Sequence, residues 1–132
     1  MQRGYIALIT VLIVMSVVLT TVSTVALFAI GEAQSGLALS KGEDALSFVE
    51  GCVEDAMLKA RADANYSGGY IARPEGTCII TVISKVGSPT VTWTMKAQTD
   101  TTVTKYNRII EVVFNRSGTG IALTSWKEVA TF

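Results

Sequence analysis

The chain has 132 residues, of which 49% are hydrophobic and 17% charged, with eleven basic side chains, eleven acidic ones and no histidine. The absence of histidine excludes a Ser-His-Asp triad, a Cys-His dyad and the common histidine-bearing zinc sites, and two cysteines are too few for a cysteine cage around a metal. The net charge of zero argues against a strong polyanion binder. We therefore expect no enzyme, no metal site and no cofactor.

The apolar residues are concentrated near the N-terminus. Tyr5–Gly31 is a run of 27 residues without Asp, Glu, Lys or Arg, which is long enough to cross a bilayer as a helix. It is about twice as long as the hydrophobic core of a secretory signal peptide. Arg3, before the run, favours a cytoplasmic N-terminus. The sequence therefore predicts a single transmembrane helix over residues 5–31 and an extracytoplasmic domain over residues 32–132.

From Gly31 to about Ala64 the pattern predicts that the helix continues with one apolar face. Asp55 and Lys59 are spaced for an ion pair within the helix. Gly31, Gly36 and Gly42 suggest a softer section, and the residues 65–69 end the helix. The apolar face is formed by Ala45, Phe48, Val49, Cys52, Val53, Ala56, Met57 and Ala60.

The remaining sequence predicts four strands, over residues 77–86, 90–98, 103–115 and 121–129, with a loose turn over 115–120. Short links favour an antiparallel meander. The second strand alternates strictly, which assigns Val91, Trp93, Met95 and Ala97 to a buried face and leaves Lys85, Lys96 and Arg108 at solvent positions. The expected fold class is α+β, in which the amphipathic half of the long helix covers the apolar face of the sheet.

Two cysteines fit this packing. Cys52 lies on the apolar face of the helix and Cys78 at the start of the first predicted strand. Outside the cytoplasm they can oxidise to a disulfide that joins helix and sheet, and the alternative is two buried free thiols.

The N-terminal sequence Arg3-Gly4-Tyr5-Ile6-Ala7-Leu8-Ile9-Thr10-Val11-Leu12-Ile13 resembles the class III signal of the type IV pilin and pseudopilin family. The resemblance implies a pilin-like fold and a leader over residues 1–4. A prepilin peptidase would cut between Gly4 and Tyr5 and methylate the new Tyr5 amine. The chain would lie in the cytoplasmic (inner) membrane and then enter an extracellular or periplasmic filament, with other pilin subunits as partners of its helix.

One position departs from the family pattern. Most pilins carry Glu at the fifth mature position, where it pairs with the N-terminal amine of a neighbouring subunit, but here Ile9 stands there and Thr10 follows. A start without this glutamate is similar to PilX-like minor pilins and to the K-type minor pseudopilin. The resemblance implies a minor subunit at the tip of the filament or at its initiation.

Three alternatives stay open. The chain could be a pseudopilin of type II secretion, or a single-pass anchored protein that is never processed. It could also be a binding module for DNA or surfaces, because residues 64–132 carry seven basic and four acidic side chains together with Trp93, Tyr106 and Trp126. For Trp93, core packing is the better explanation.

Two tripeptides match the acceptor pattern for N-linked glycans, Asn65-Tyr66-Ser67 and Asn115-Arg116-Ser117. A pattern this short arises by chance too often for the sequence alone to assign a glycan to Asn65 or Asn115.

Overall fold

The computed structural model describes residues 2–100 and 106–130. One helix is followed by a run of strands: α1 (Gln2–Ala62), β1 (Gly68–Arg73), β2 (Gly76–Val86), β3 (Val91–Thr99), β4 (Ile109–Ser117) and β5 (Gly120–Val129). The chain divides into two compact units, Met1–Leu39 and Ser40–Phe132, which we call the stem and the head.

Helix α1 ends close to the predicted position. The backbone N–H of Asp63 still donates to the Lys59 carbonyl at 2.8 Å, and the Asp63 carboxylate accepts a hydrogen bond from the Asn65 backbone N–H at 2.8 Å. Lys59 and Arg61 lie in the last turn, where cations offset the negative end of the helix dipole. Gly68 then adopts a left-handed backbone with φ of 93°, in which residues with a side chain are strained.

The head contains an antiparallel meander of five strands in the order β1-β2-β3-β4-β5, so the α+β class is confirmed and the expected number of strands was one too low. The additional strand is β1, which pairs with β2 at one edge and places Ile71 opposite Cys78. The predicted third strand began at residue 103, which lies outside the described residues, and β4 begins at Ile109.

A turn lies within the predicted residues 115–120, but it is a tight hairpin and not the loose turn that the sequence predicted. Ser117 pairs with Gly120, which leaves only Gly118 and Thr119 in the loop. Gly118 has a φ of 59°, a conformation that glycine adopts without a steric penalty. Strand β4 is therefore longer at its end than the sequence pattern indicated.

The head packs the C-terminal part of α1 on one face of the sheet, as the apolar face predicted. The alternation along β3 is confirmed: Trp93 is only 1% exposed, and its ring stacks on Phe114 with centroids 5.7 Å apart. The core consists of Val49, Cys52, Val53, Ala56 and Ala60 from the helix and Ile71, Cys78, Ile80, Trp93, Met95, Ala97, Ile110, Val112 and Phe114 from the sheet.

Cys52 and Cys78 form a disulfide, with their Cα atoms 6.5 Å apart and both side chains fully buried. The disulfide joins α1 to β2, and the alternative of two buried thiols is not the one that the structure adopts. The cross-link closes a loop of 26 residues that contains the end of the helix and the whole of β1.

Candidate functional site

The predicted processing position lies at the start of the stem. Gly4 and Tyr5 belong to the first turns of α1, and the Tyr5 side chain is 69% exposed. A Cβ atom added at Gly4 would meet no other atom within 4 Å. Both residues are therefore exposed and uncovered by other parts of the described chain.

The apolar segment, Tyr5–Gly31, exposes its side chains along its whole length. Its most apolar stretch has a mean hydropathy of 2.5, and among the described residues none of that stretch is buried inside the protein. At 1.5 Å per residue the segment measures about 40 Å, which exceeds the hydrocarbon thickness of about 30 Å. It is the one described helix that is long and apolar enough to span a membrane.

The serine and threonine hydroxyls of this segment are satisfied inside its own helix. Each of them donates to a carbonyl three or four residues earlier, for example Ser16 to the Ile13 carbonyl at 2.8 Å and Thr24 to the Thr20 carbonyl at 2.6 Å. After Tyr5 the surface of the segment therefore needs no water, which is the condition for contact with lipid or with another helix.

The position that lacks glutamate lies in the second turn after Tyr5. Ile9 is 36% exposed, and the Thr10 hydroxyl donates to the Ala7 carbonyl at 2.8 Å. The apolar segment contains no carboxylate at any position.

The three aromatic residues considered for base stacking differ in how far they are exposed to solvent. Trp93 is buried in the core, so its ring has no face for an external base. Trp126 is half-buried and packs against the core, while Tyr106 is 37% exposed.

Several basic side chains of the head are paired with acidic ones. On the face of the sheet away from the helix, Glu111 lies between Lys127, at 2.9 Å, and Lys96, at 3.8 Å. The hydrogen bond from Lys127 is the main cause that holds the pKa of Glu111 below its ordinary value, against an opposing effect of partial burial. Arg108, predicted at a solvent position, instead bonds Glu128 at 2.6 Å and lies beside Gly42.

Lys85 was also predicted at a solvent position, and it is exposed, but its ammonium group is engaged. It donates to the Tyr66 carbonyl at 2.6 Å and to the Ala64 carbonyl at 3.3 Å. It also lies 4.0 Å from the centre of the Trp93 ring. The lysine thereby fixes the segment that follows the helix to the sheet, a role that a solvent position in a strand pattern does not indicate.

The head has an open groove of about 670 Å³ between α1 and the turn after β1, whose lining includes Phe48, Lys41 and Glu75. The bases that border it are paired, Lys41 with Asp44 at 4.0 Å and Arg73 with Asp55 at 3.2 Å. Among residues 2–100 and 106–130, no three cysteine or acidic side chains are grouped in a way that could hold a metal ion.

No family model, curated protein or solved structure matches this chain.

Proposed function

We propose that this chain is a structural subunit of a type IV pilus or a related filament, held in the membrane as a single-pass protein and assembled through its apolar segment. The observation that carries the proposal is the exposed surface of Tyr5–Gly31. A helix whose apolar side chains have no partner in the protein, and whose serine and threonine hydroxyls are satisfied internally, is stable only against lipid or other helices.

The leader sequence favours a filament subunit over a protein that is only anchored in the membrane. A signal anchor needs a basic flank and about 20 apolar residues. Here the junction of Gly4 and Tyr5 resembles a prepilin peptidase site, and both residues are exposed at the start of α1. In our proposal the peptidase removes residues 1–4, methylates Tyr5 and leaves the helix in place.

The disulfide of the head supports a location outside the cytoplasm. It joins helix to sheet, and disulfides persist in oxidising compartments. A single-pass topology with Arg3 on the cytoplasmic side would place the head on that oxidising side of the membrane.

The mass of the N-terminus tests the proposal. The full chain is produced in cells with and without a prepilin peptidase, and its N-terminal peptide is analysed by mass spectrometry. We expect a chain that begins at a methylated Tyr5 only when the peptidase is present. An intact Met1 in the presence of an active peptidase would overturn the proposal and favour an unprocessed anchor.

A matched pair of variants controls for general effects of glycine loss. Gly4→Val should block the cut, whereas Gly36→Val should not. A Cβ atom at either glycine meets nothing within 4 Å, so neither substitution creates a clash. Equal processing of both variants would contradict recognition at Gly4.

Ile9 supports a more specific proposal: the chain is a minor subunit that lies at the tip of the filament or initiates its assembly. A buried amine without a carboxylate partner is unfavourable in the low-dielectric core of a filament, and a subunit with nothing beyond it avoids that cost. A pseudopilin of type II secretion would be processed in the same way, and it would be found in the periplasm instead of on surface filaments.

A nucleic-acid function is the weaker candidate, because the buried Trp93 cannot stack on a base. It would require that the full chain retain DNA with a strong dependence on salt concentration.

A further inference from the structure

The two tripeptides with the glycan acceptor pattern occupy opposite environments in the head. Asn65 follows the end of α1 in an exposed turn, and Ser67 is exposed two residues later. Among the described residues, neither the Asn65 side-chain amide nor the Ser67 hydroxyl has a hydrogen-bond partner. Both groups that the pattern requires are therefore free on the surface.

The middle residue anchors this tripeptide. Tyr66 packs against the core, and its carbonyl accepts the short hydrogen bond from Lys85. Its hydroxyl oxygen is buried, and burial raises the pKa of Tyr66 above its ordinary value. The Asn65 backbone N–H is held by the Asp63 carboxylate. The backbone is thus fixed on the head, while the side chains on either side of Tyr66 point away from it into solvent.

The second tripeptide lies inside the sheet. Asn115 belongs to β4, where it pairs with Thr92 of β3 on one side and with Ala122 of β5 on the other. Its side-chain oxygen accepts a hydrogen bond from the Thr92 hydroxyl at 2.8 Å, and the side chain is half-buried. The extended backbone of Asn115 is held by pairing on both sides, and its side chain is neither fully exposed nor free of a partner, in contrast to Asn65.

We propose that Asn65 is an acceptor for an N-linked glycan in the folded protein and that Asn115 is not. The donor is a lipid-linked oligosaccharide pyrophosphate. The Asn65 Nδ2 forms a bond to the anomeric carbon of the first sugar, and the bond from that carbon to the pyrophosphate oxygen breaks. The lipid pyrophosphate leaves with the electron pair, and one amide proton passes to a base of the transferase.

In cells the reaction rests on one part of the proposed function, the position of the head outside the cytoplasm, where this class of transferase works. It does not rest on filament assembly. A reaction with purified components removes the dependence on location, so that a failure of the glycan site and a failure of the filament proposal give different results.

The full chain in detergent is incubated with a transferase specific for Asn-x-Ser/Thr and a polyprenyl-pyrophosphate oligosaccharide, and the intact mass is measured. A synthetic peptide of residues 60–72 shows that the enzyme accepts this tripeptide. We expect one glycan on the folded chain, lost in Asn65→Gln and in Ser67→Ala and retained in Asn115→Gln. Equal melting temperatures of Asn65→Gln and the parent chain confirm that the variant is folded.

Two results would overturn the proposal. A folded chain that stays unmodified while the peptide is modified would show that the turn after α1 withholds Asn65. Modification of Asn115 in the folded chain, alone or together with Asn65, would show that pairing within the sheet does not decide which tripeptide is used.

Discussion

The guanidinium group of Arg73 lies directly over Gly51 in α1. A Cβ atom at Gly51 would overlap Nη1 of Arg73, whose Nε is 3.2 Å from the Asp55 carboxylate one turn further along the helix. Asp55 thus pairs with a residue of β1, and the ion pair with Lys59 that the helix spacing suggested is not formed. Gly51 lowers the intrinsic stability of the helix, but because it has no side chain it leaves room for Arg73 from the edge of the sheet.

Gly42→Ala should stabilise the head more than Gly51→Ala. Either substitution raises helix propensity by about 1 kcal/mol. At Gly42 the new Cβ lies 3.0 Å from a terminal nitrogen of Arg108, which has to shift by only a few tenths of an ångström. At Gly51 the Cβ displaces Arg73 and costs the partly exposed ion pair with Asp55, worth roughly 0.5–1 kcal/mol. Denaturant unfolding of the full chain in detergent measures both changes.

Because Arg73 pairs with Asp55 across Gly51, the effects of substitutions at Asp55 and Gly51 should be coupled. Asp55→Asn should lower the free energy of unfolding in the parent chain and have no effect in the Gly51→Ala background, because the pair is already broken there. An equal effect in both backgrounds would show that Arg73 keeps its contact with Asp55 when Gly51 carries a side chain.

Removal of the disulfide should weaken the head without changing its fold. In the chain-entropy model, a loop of 26 residues closed by Cys52 and Cys78 stabilises the folded state by about 3.5 kcal/mol. We expect the double variant with alanine at both positions to lose about this much, measured by thermal unfolding under non-reducing conditions. Addition of a reductant should lower the melting temperature of the parent chain and leave that of the double variant unchanged.

Glu111 predicts a specific loss of stability in acid. Its pKa is lower in the folded than in the unfolded protein, mainly because of the hydrogen bond from Lys127. The unfolded state therefore takes up a proton at higher pH. The stabilisation from this group is complete above the ordinary value of 4.5, and it is lost as the pH falls through the lowered one.

Glu111→Gln should thus be less stable than the parent chain at pH 7, and the difference should vanish in strong acid. Its side chain is only 18% exposed, so screening by solvent is incomplete. The exposed Glu43, which forms no ion pair within residues 2–100 and 106–130, provides the control substitution Glu43→Gln. A difference between parent and Glu111→Gln that does not vary with pH would contradict the role of the carboxylate charge.

The parts of the fold that follow from periodic patterns were predictable from the sequence. The apolar face of α1 and the alternation along β3 each have a physical period, 3.6 and 2 residues, so the positions of Val53 and Trp93 in these patterns assign both side chains to the core. The cysteine pairing followed from those faces. The exposure of the segment after α1 could also be predicted, because a helix stop rich in Gly, Ser and Asn has few apolar groups to bury.

Strand β1 could not be recognised in the same way. It is six residues long, two of them are glycines, and only Ile71 is buried, so the segment looks like a turn after the helix. Its position is set by pairing with β2: a Cβ atom at Gly68 would overlap the Ile80 carbonyl oxygen, and only glycine tolerates this approach. Arg73, Lys85 and Arg108 likewise contact residues that are distant in the sequence. Such contacts depend on the tertiary structure and leave no periodic signal in the sequence.

Replacement of Lys85 should weaken the attachment of the segment after α1 to the sheet. Lys85→Met keeps the apolar stem of the side chain but removes its hydrogen bonds to the Tyr66 and Ala64 carbonyls and its contact with the Trp93 ring. We expect a loss of about 1 kcal/mol in the free energy of unfolding and a shift of the Trp93 fluorescence. Lys59→Met, in the exposed last turn of α1, should change neither by as much. Equal effects of the two variants would show that only the loss of charge matters.

Ile9→Glu tests the placement of the subunit in the filament. If the missing carboxylate confines the chain to the tip, then a glutamate at this position supplies a partner for the Tyr5 amine of a neighbour. We expect copies along the length of isolated filaments in place of copies at their ends. An unpaired charge in the apolar segment costs about 2.5–3.5 kcal/mol, so the carboxylate is driven toward that amine. Ile9→Gln, which has the shape of the glutamate without its charge, should stay at the ends, and counting labelled subunits per filament measures the difference. A parent chain that already forms the bulk of the filament would show that Ile9 does not restrict it to the tip, because the helices would then pack without a carboxylate at that position.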